Sequence, residues 1–281
     1  WQAIEKRTAL YSEEESQTVN SLWIGNMLSK LELLTIQSFL ENGHSFKLWI
    51  YDKLETKLPA GIEICDASTI IPREKIFAYK NKNTFGHGKG SYAGFSDIFR
   101  YKLLYEYGGW WVDMDITCLK PFNFSKPYFF RPHHNMPIVG NVMKCPKGSK
   151  LMKLCYEDAL ANIDEFNTDW HKPINILNKH VQTLDLLDYI ENSKSNFDMW
   201  DETSRYIWTE KELPHQWYFI HWQNEEWRAK KVSKKNFYHK SALAKLLDKY
   251  KLYRMPRSNF ELLKNNIYHS ELIRKINFYI S

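Results

Sequence analysis

Asp113 and Asp115 stand one residue apart in the run Trp110-Trp-Val-Asp-Met-Asp-Ile116, in surroundings unlike those of a solvated turn. Alternate side chains of an extended backbone face opposite ways. Trp110, Val112, Met114 and Ile116 are therefore expected to enter a core, while Trp111, Asp113, Asp115 and Thr117 share the other face. Two carboxylates held together among apolar residues repel each other, and burying either one is costly. A divalent cation resolves the conflict. Mg²⁺ or Mn²⁺ takes carboxylate oxygens and keeps coordination sites for phosphate oxygens.

A second pair lies just upstream. Asp97 and Arg100, three residues apart on a predicted helix from Phe95 to Tyr107, share one face of it. One reading is an intrahelical ion pair worth a few tenths of a kcal/mol. The other is an Asp that accepts sugar hydroxyls beside an Arg that forks to sugar or phosphate oxygens.

The elements that must position these groups follow from periodicity. Residues 21–25 read as a short strand, Leu31 to Leu40 as a helix stopped at Asn42-Gly43, and Phe46 to Tyr51 as a second strand. Strand, helix and strand at this spacing make a βαβ unit with a parallel sheet. Ile62–Cys65 is a third strand candidate. Gly108 closes the Phe95–Tyr107 helix, where glycine can take a left-handed cap. Further expectations are a strand over 137–143, helices over 151–163 and 170–190, and an extended stretch over 217–222. Two basic amphipathic helices are expected over 241–250 and 260–279. The polar, glycine-rich stretch Lys80 to Gly94 lacks the spacing of a phosphate-binding loop. It reads either as a loop closing over a ligand or as ordinary surface; His133-His134 read as surface loop.

The run Ser96-Asp-Ile-Phe-Arg-Tyr-Lys-Leu-Leu-Tyr-Glu-Tyr-Gly-Gly-Trp-Trp-Val-Asp-Met-Asp115 resembles the signature S-D-x-x-R-x-x-x-L-x-x-x-G-G-x-x-x-D-x-D. That signature marks the DXD-containing sugar-binding region of glycosyltransferases. The region is shared by capsule and lipooligosaccharide transferases, yeast mannosyltransferases and the glucosyltransferase domains of large clostridial toxins. Leu22-Trp-Ile-Gly25 resembles the family's first-strand segment at the nucleotide, and Lys47–Asp52 its second strand. Gly140-Asn141 resembles a segment lining the donor sugar. His221 and Trp227 are similar to a closing His…Trp segment.

The resemblance implies a GT-A fold, a Rossmann-like and mostly parallel sheet flanked by helices, with the donor at the strands' C-terminal edge. It implies retaining transfer of a hexose or N-acetylhexosamine from a nucleotide diphosphate sugar, UDP favoured, with Mn²⁺ or Mg²⁺ as cofactor. Asp113, Asp115 and His221 would hold the metal. Asp97 and Arg100 would grip the transferred sugar, and Asp97, Arg100 and Asp115 would be the catalytic set. Leu22, Trp23, Ile24, Gly25, Ser96, Asp97, Arg100, Asp113, Met114, Asn141 and Trp227 would line the donor. The acceptor would be a glycan or lipid-linked glycan, as in bacterial surface polysaccharide synthesis. The rival readings are a toxin-like transferase acting on a protein and a non-catalytic carbohydrate-binding module on the same fold.

Composition bounds the rest. The 281 residues, 43% apolar and 26% charged, suffice for one substantial core. The 11 tryptophans are expected to line a cleft or a membrane-facing surface, because a buried indole needs a partner for its N–H. Four cysteines without paired spacing read as reduced thiols. The reduced thiols are those of a cytoplasmic protein; no apolar run reaches the roughly 18–20 residues that span a bilayer, and the N-terminus has no signal-peptide pattern. Charge divides the chain at residue 227. Residues 228–281 hold 14 Lys/Arg against 3 acidic residues, leaving 1–227 mildly acidic within a total of +6. The expected domains are therefore 1–227, the catalytic body, and 228–281, a basic helical extension. That extension either lies on anionic lipid at the inner face of the plasma membrane or packs on the body with its lysines solvated. Nucleic-acid binding is not expected, since no recognition motif accompanies the charge.

Overall fold

Ser29 and Glu32 form a capping box that starts the first helix. In the computed structural model, which describes residues 17–254, this helix, α1 (Lys30–Glu41), joins two parallel strands, β1 (Val19–Trp23) and β2 (Phe46–Ile50). The expected βαβ unit is thus present, and α1 stops at Asn42-Gly43. β3 (Glu63–Asp66) extends the parallel sheet beside β2, and α2 (Ala93–Tyr107) returns the chain to β4 (Gly109–Val112), parallel to β1. β7 (Val139–Cys145) runs antiparallel to β4, and β6 (Phe129–Arg131) antiparallel to β7. The six-stranded order is β3-β2-β1-β4-β7-β6, so only β7 opposes the common direction.

Helices cover both faces of this sheet. On one side Phe99 and Leu103 of α2, Leu151 and Cys155 of α3 (Lys150–Asn162) and Leu177 of α4 (Lys172–Thr183) pack with Trp111 and Met143. On the other, Ile36 and Phe39 of α1 pack with Phe46, Trp110, Val112 and Val142. The chain is therefore α/β with a mostly parallel central sheet, as expected from its sequence.

The expected continuous strand over 110–116 is not formed. It breaks at Asp113-Met-Asp115, and Ile116 begins β5 (Ile116–Cys118), which pairs antiparallel with β8 (Phe219–His221) in a separate two-stranded sheet. The apolar alternation survives the break, because Trp110, Val112, Met114 and Ile116 all enter the same core. Two buried strands in different sheets thus read as one. The Asp113 amide still bonds the Asn141 carbonyl of β7 and the Asp115 carbonyl accepts from the Trp222 amide, so the two carboxylates occupy a turn at the sheet's C-terminal edge that is tied to both sheets.

Other elements are shorter than expected. α4 ends at Thr183, and Asp185, at φ +57, precedes a single turn over Leu187–Tyr189. β6, α5 (Trp200–Trp208) and α6 (Asn224–Ala229) had no sequence expectation. Gly108 caps α2 at φ +69 and ψ −162, a positive-φ state outside the left-handed helical well; a Cβ there would lie 2.5 Å from the Lys147 amide nitrogen.

The first predicted basic helix exists as α7 (Ala242–Lys249), N-capped by Ser241. Its apolar face, Leu243 and Leu247, is buried with Tyr206, Trp217 and Trp227 of the body. For this helix the observed packing is the body-packed alternative. The second, over 260–279, lies outside the described residues. No helix among those described is long and apolar enough to cross a membrane, and the four cysteines form no disulfide.

One buried group gives this fold a pH dependence. His44 stacks on Phe122 with ring centroids 3.9 Å apart, and its Nε2 is buried without a hydrogen-bond partner among the described residues. Burial pushes it from 6.5 down to about 4. The unfolded chain therefore takes up a proton that the folded chain refuses. This contribution is complete above pH 6.5 and is lost as pH falls toward 4, a change of about 2–3 kcal/mol. His44→Phe should remove it. The stability difference between wild type and variant, from urea unfolding at pH 7.5 and pH 4.5, should change by that amount; a pH-independent difference would contradict the assignment.

Candidate active site

The C-terminal edge of β1 and β4, the N-terminal half of α2, the turn after β4 and the start of α6 surround a cleft of about 780 Å³. Leu22, Trp23 and Ile24 line it at the end of β1. The Trp23 indole donates back to the Met27 carbonyl (3.1 Å), which fixes the ring over the following turn. Gly25, at φ +123, turns the chain away beyond them.

α2 contributes Ser96, Asp97 and Arg100 to the wall. The Asp97–Arg100 ion pair exists (3.1 Å), but Arg100 does more than bridge a helix turn. The same guanidinium reaches Asp113 (3.1 Å), donates to the Gly140 carbonyl (2.6 Å) and stacks on Trp111. A Cβ at Gly140 would approach Arg100 to 3.0 Å, which explains a glycine at that position. With its fork engaged by protein acceptors, Arg100 acts chiefly by orienting the two carboxylates. Burial raises Asp97 to about 6, with Arg100 opposing and Asp113 reinforcing the shift. Burial likewise raises Asp113, against the pull of Arg100.

Asp113 is held by the Trp111 indole N–H (2.7 Å to Oδ1), and its own amide donates to the Asn141 carbonyl (2.9 Å). Asp115 is anchored from the opposite side. Its Oδ2 accepts from the Asn224 amide (2.6 Å) at the start of α6 and lies 3.1 Å from His221 Nε2. The β5–β8 register, Ile116 opposite His221, sets the imidazole beside this carboxylate. His221 Nδ1 meets Asp198 Oδ1 at 2.7 Å, and Arg131 grips Asp198 bidentately at 2.6 and 2.7 Å. Burial works against charge on His221, but Asp115 and Asp198 outweigh it and push the imidazole up to about 10. Burial also opposes ionisation of Asp198, yet Arg131 and His221 hold it well below the usual carboxylate range. Asp115 too is lowered, because His221 and the Asn224 amide overcome its burial.

Among the described residues no three carboxylate, imidazole or thiol groups converge as a preformed metal cage. The donor set still fits a hard divalent cation, which commonly takes one or two carboxylates and leaves other positions to water and phosphate. An Asp behind the imidazole is also the arrangement that fixes the ring of a metal-ligating His. Asp113 and Asp115 are the residues that would hold it, and His221 would join them on giving up the proton that its Nε2 now directs at Asp115.

Of the remaining expected residues, Met114 and Trp227 reach the cleft but are largely core; the Trp227 indole donates to the Trp222 carbonyl (2.8 Å). The Asn141 side chain bonds Arg131 and lies 3.0 Å from His221 Nδ1. Two features, the brace behind His221 and Lys234, had no sequence expectation. Asp198 and Arg131 brace His221; a lone Arg beside Phe129-Phe130 was the available signal, since a charge in an apolar run needs a buried partner. Lys234 lines the cleft and pairs with Glu32, the capping residue of α1. His133 and His134, read as surface loop, form part of the cleft rim. The stretch after Lys80 is tied across to α6, with the Gly88 amide donating to Glu225 (2.9 Å) and His87 lying 3.0 Å from Glu226.

Residues 12–130 match the family model described as the glycosyltransferase sugar-binding region containing the DXD motif. Among solved structures, the chain is similar to the PaToxG glycosyltransferase at 13% identity, covering 60% of this chain and 68% of that one, with a TM-score of 0.44. It is also similar to a transferase carrying two cysteine-to-serine substitutions at 8% identity, covering 63% and 87%, with a TM-score of 0.39. No curated protein matches. The signature from Ser96 to Asp115 folds into the wall of one cleft, and it lies within the stretch, residues 12–130, that matches the DXD-containing sugar-binding region of glycosyltransferases.

Proposed function

We propose that the chain transfers a hexose or N-acetylhexosamine from a nucleoside diphosphate sugar, UDP favoured, to a glycan acceptor with retention of configuration. The observation that carries this reading is the convergence on one cleft of Asp97 and Arg100 from α2 with Asp113, Asp115 and His221. Asp97, held by Arg100, accepts hydroxyl hydrogen bonds from the transferred sugar. Trp23 and its neighbours meet the base. Asp113, Asp115 and His221 would hold Mn²⁺ or Mg²⁺, which when bound offsets the charge developing on the departing diphosphate. Lys234, paired with Glu32, directs its ammonium to the same side of the cleft. The retaining outcome rests on the family resemblance.

A thermal-shift series with UDP- and GDP-sugars, with and without Mn²⁺, tests this reading. A ligand at 100 times its Kd stabilises the folded state by about 2.7 kcal/mol. UDP-sugars with Mn²⁺ should raise the Tm by several degrees, either alone should do less, and EDTA should abolish donor hydrolysis. Equal shifts without metal, or full turnover in EDTA, would refute it.

A further inference from the structure

One stretch of the cleft wall differs in character from the rest. Residues 133–135 and 170–171 line it with rings and an amide and contribute no Lys, Arg, Asp or Glu, whereas the donor side carries Asp113, Asp115, Glu225, Arg228 and Lys234. The rings are contiguous. His133 and His134 lie with centroids 4.1 Å apart, His133 meets His171 edge-on at 6.3 Å, and Trp170, the residue before His171, has the His87 ring 5.7 Å away. These imidazoles form no metal cluster among the described residues.

Their hydrogen bonds assign their tautomers. The Asn135 amide donates to His133 Nδ1 (3.1 Å), so that nitrogen is an acceptor and the ring proton of neutral His133 sits on Nε2. His134 Nδ1 lies 3.0 Å from the Phe197 carbonyl, which can only accept, so the proton of neutral His134 sits on Nδ1 and its Nε2 is an acceptor. Burial pushes His133 down to about 4 and keeps it uncharged at neutral pH. Two adjacent rings, tilted 34° to each other, thus offer one donor and one acceptor. A vicinal diol, each hydroxyl of which both donates and accepts, satisfies that pair. No Lys or Arg of this stretch is there to pair with an anion, and Trp170 supplies an apolar face for the C–H side of a sugar ring.

We propose that the His133–His134 pair, with Trp170, is the acceptor subsite and that it takes an uncharged pyranose through adjacent hydroxyls. This rests on the glycosyltransferase reading above, and the experiment separates the two.

The full chain, loaded with UDP and Mg²⁺, is examined by saturation-transfer NMR with lactose, maltose and methyl mannoside as probes, and with glucuronic acid as the anionic control. Hydrolysis of UDP-glucose and UDP-galactose without acceptor is followed in parallel. Neutral sugars should receive saturation and glucuronic acid should not. His133→Ala/His134→Ala should reduce the neutral-sugar signal at least 5-fold and leave donor hydrolysis within 2-fold. His134→Phe, which keeps the ring and removes the acceptor nitrogen, should show most of that loss and guards against misfolding of the double variant.

Donor hydrolysis with no saturation of any neutral sugar, or with the signal unchanged in both variants, overturns the subsite and leaves the transferase reading intact. Equal saturation of glucuronic acid, or a parallel loss of donor hydrolysis in His134→Phe, also overturns it. Absence of both UDP-sugar hydrolysis and UDP binding overturns the reading on which it rests.

Discussion

Asp115→Asn should lower donor hydrolysis and transfer by about 10²–10³-fold, the loss typical of one electrostatic stabiliser removed from an active site. The substitution keeps the shape of the side chain, and an amide oxygen can still accept from the Asn224 N–H that now bonds Asp115 at 2.6 Å. The local fold should therefore persist, with a Tm within a few degrees of wild type. The charge is what disappears. Asp115 is one of two carboxylates pressing on His221, so its loss leaves the imidazole facing Asp198 alone. Mn²⁺ affinity, read by electron paramagnetic resonance, should fall by more than the roughly 10–100-fold that loss of an outer-shell partner costs. The corresponding change at Asp97, which contacts Arg100 rather than His221, should leave Mn²⁺ affinity near wild type while still impairing transfer. Unchanged Mn²⁺ binding in Asp115→Asn, or equal losses of Mn²⁺ binding in both variants, would show that the cation is not held by this turn.

The contrast between these two carboxylates reflects how the site is encoded. Everything from Ser96 to Asp115 lies within twenty consecutive residues, so helix, cap and acidic turn were legible together. What periodicity concealed was the break after Val112. Strands from two sheets continue the same apolar alternation through Met114 and Ile116 into one core, and no residue type marks the change of sheet. Without the break Asp113 and Asp115 would be equivalent neighbours on one strand face. With it, Asp113 faces Arg100 and Trp111, and Asp115 faces His221 and Asn224.

The His221 side was legible only as a lone residue. Its supports come from β6 and from the segment before α5, elements too short or too irregular to show a period. Pairing between Arg131 and residue 198 is a tertiary fact that no local pattern encodes. The basic tail shows the converse. Its charge count was visible, but whether α7 faces lipid or protein depended on the apolar surface that Tyr206, Trp217 and Trp227 jointly present, and those residues meet only after folding.

Arg131→Met should destabilise the protein by about 3–5 kcal/mol, because it leaves a buried carboxylate without its main partner. Arg131 is 1% exposed, and besides Asp198 it donates to Ser195 (2.6 Å) and Asn141 (3.0 Å). The sign of the accompanying pH effect is fixed by Asp198. Its folded value lies below the unfolded one, so the pair's contribution is present above about pH 4 and is lost as pH falls through the folded value. Without the guanidinium Asp198 keeps only His221 as a counter-charge, and its protonation should move upward. Asp198→Leu alone should be comparably damaging, since it strands a buried guanidinium. The double variant should recover much of the loss, because an ion pair removed as a unit takes its desolvation cost with it. Urea unfolding of wild type, both singles and the double gives the coupling directly. A single-variant loss under 1 kcal/mol, or strictly additive losses, would mean that the pair is solvated and braces nothing. The double variant also separates stability from function. A restored fold with Mn²⁺ affinity still lowered would show that Asp198 is retained for the orientation of His221, not for the stability of the fold.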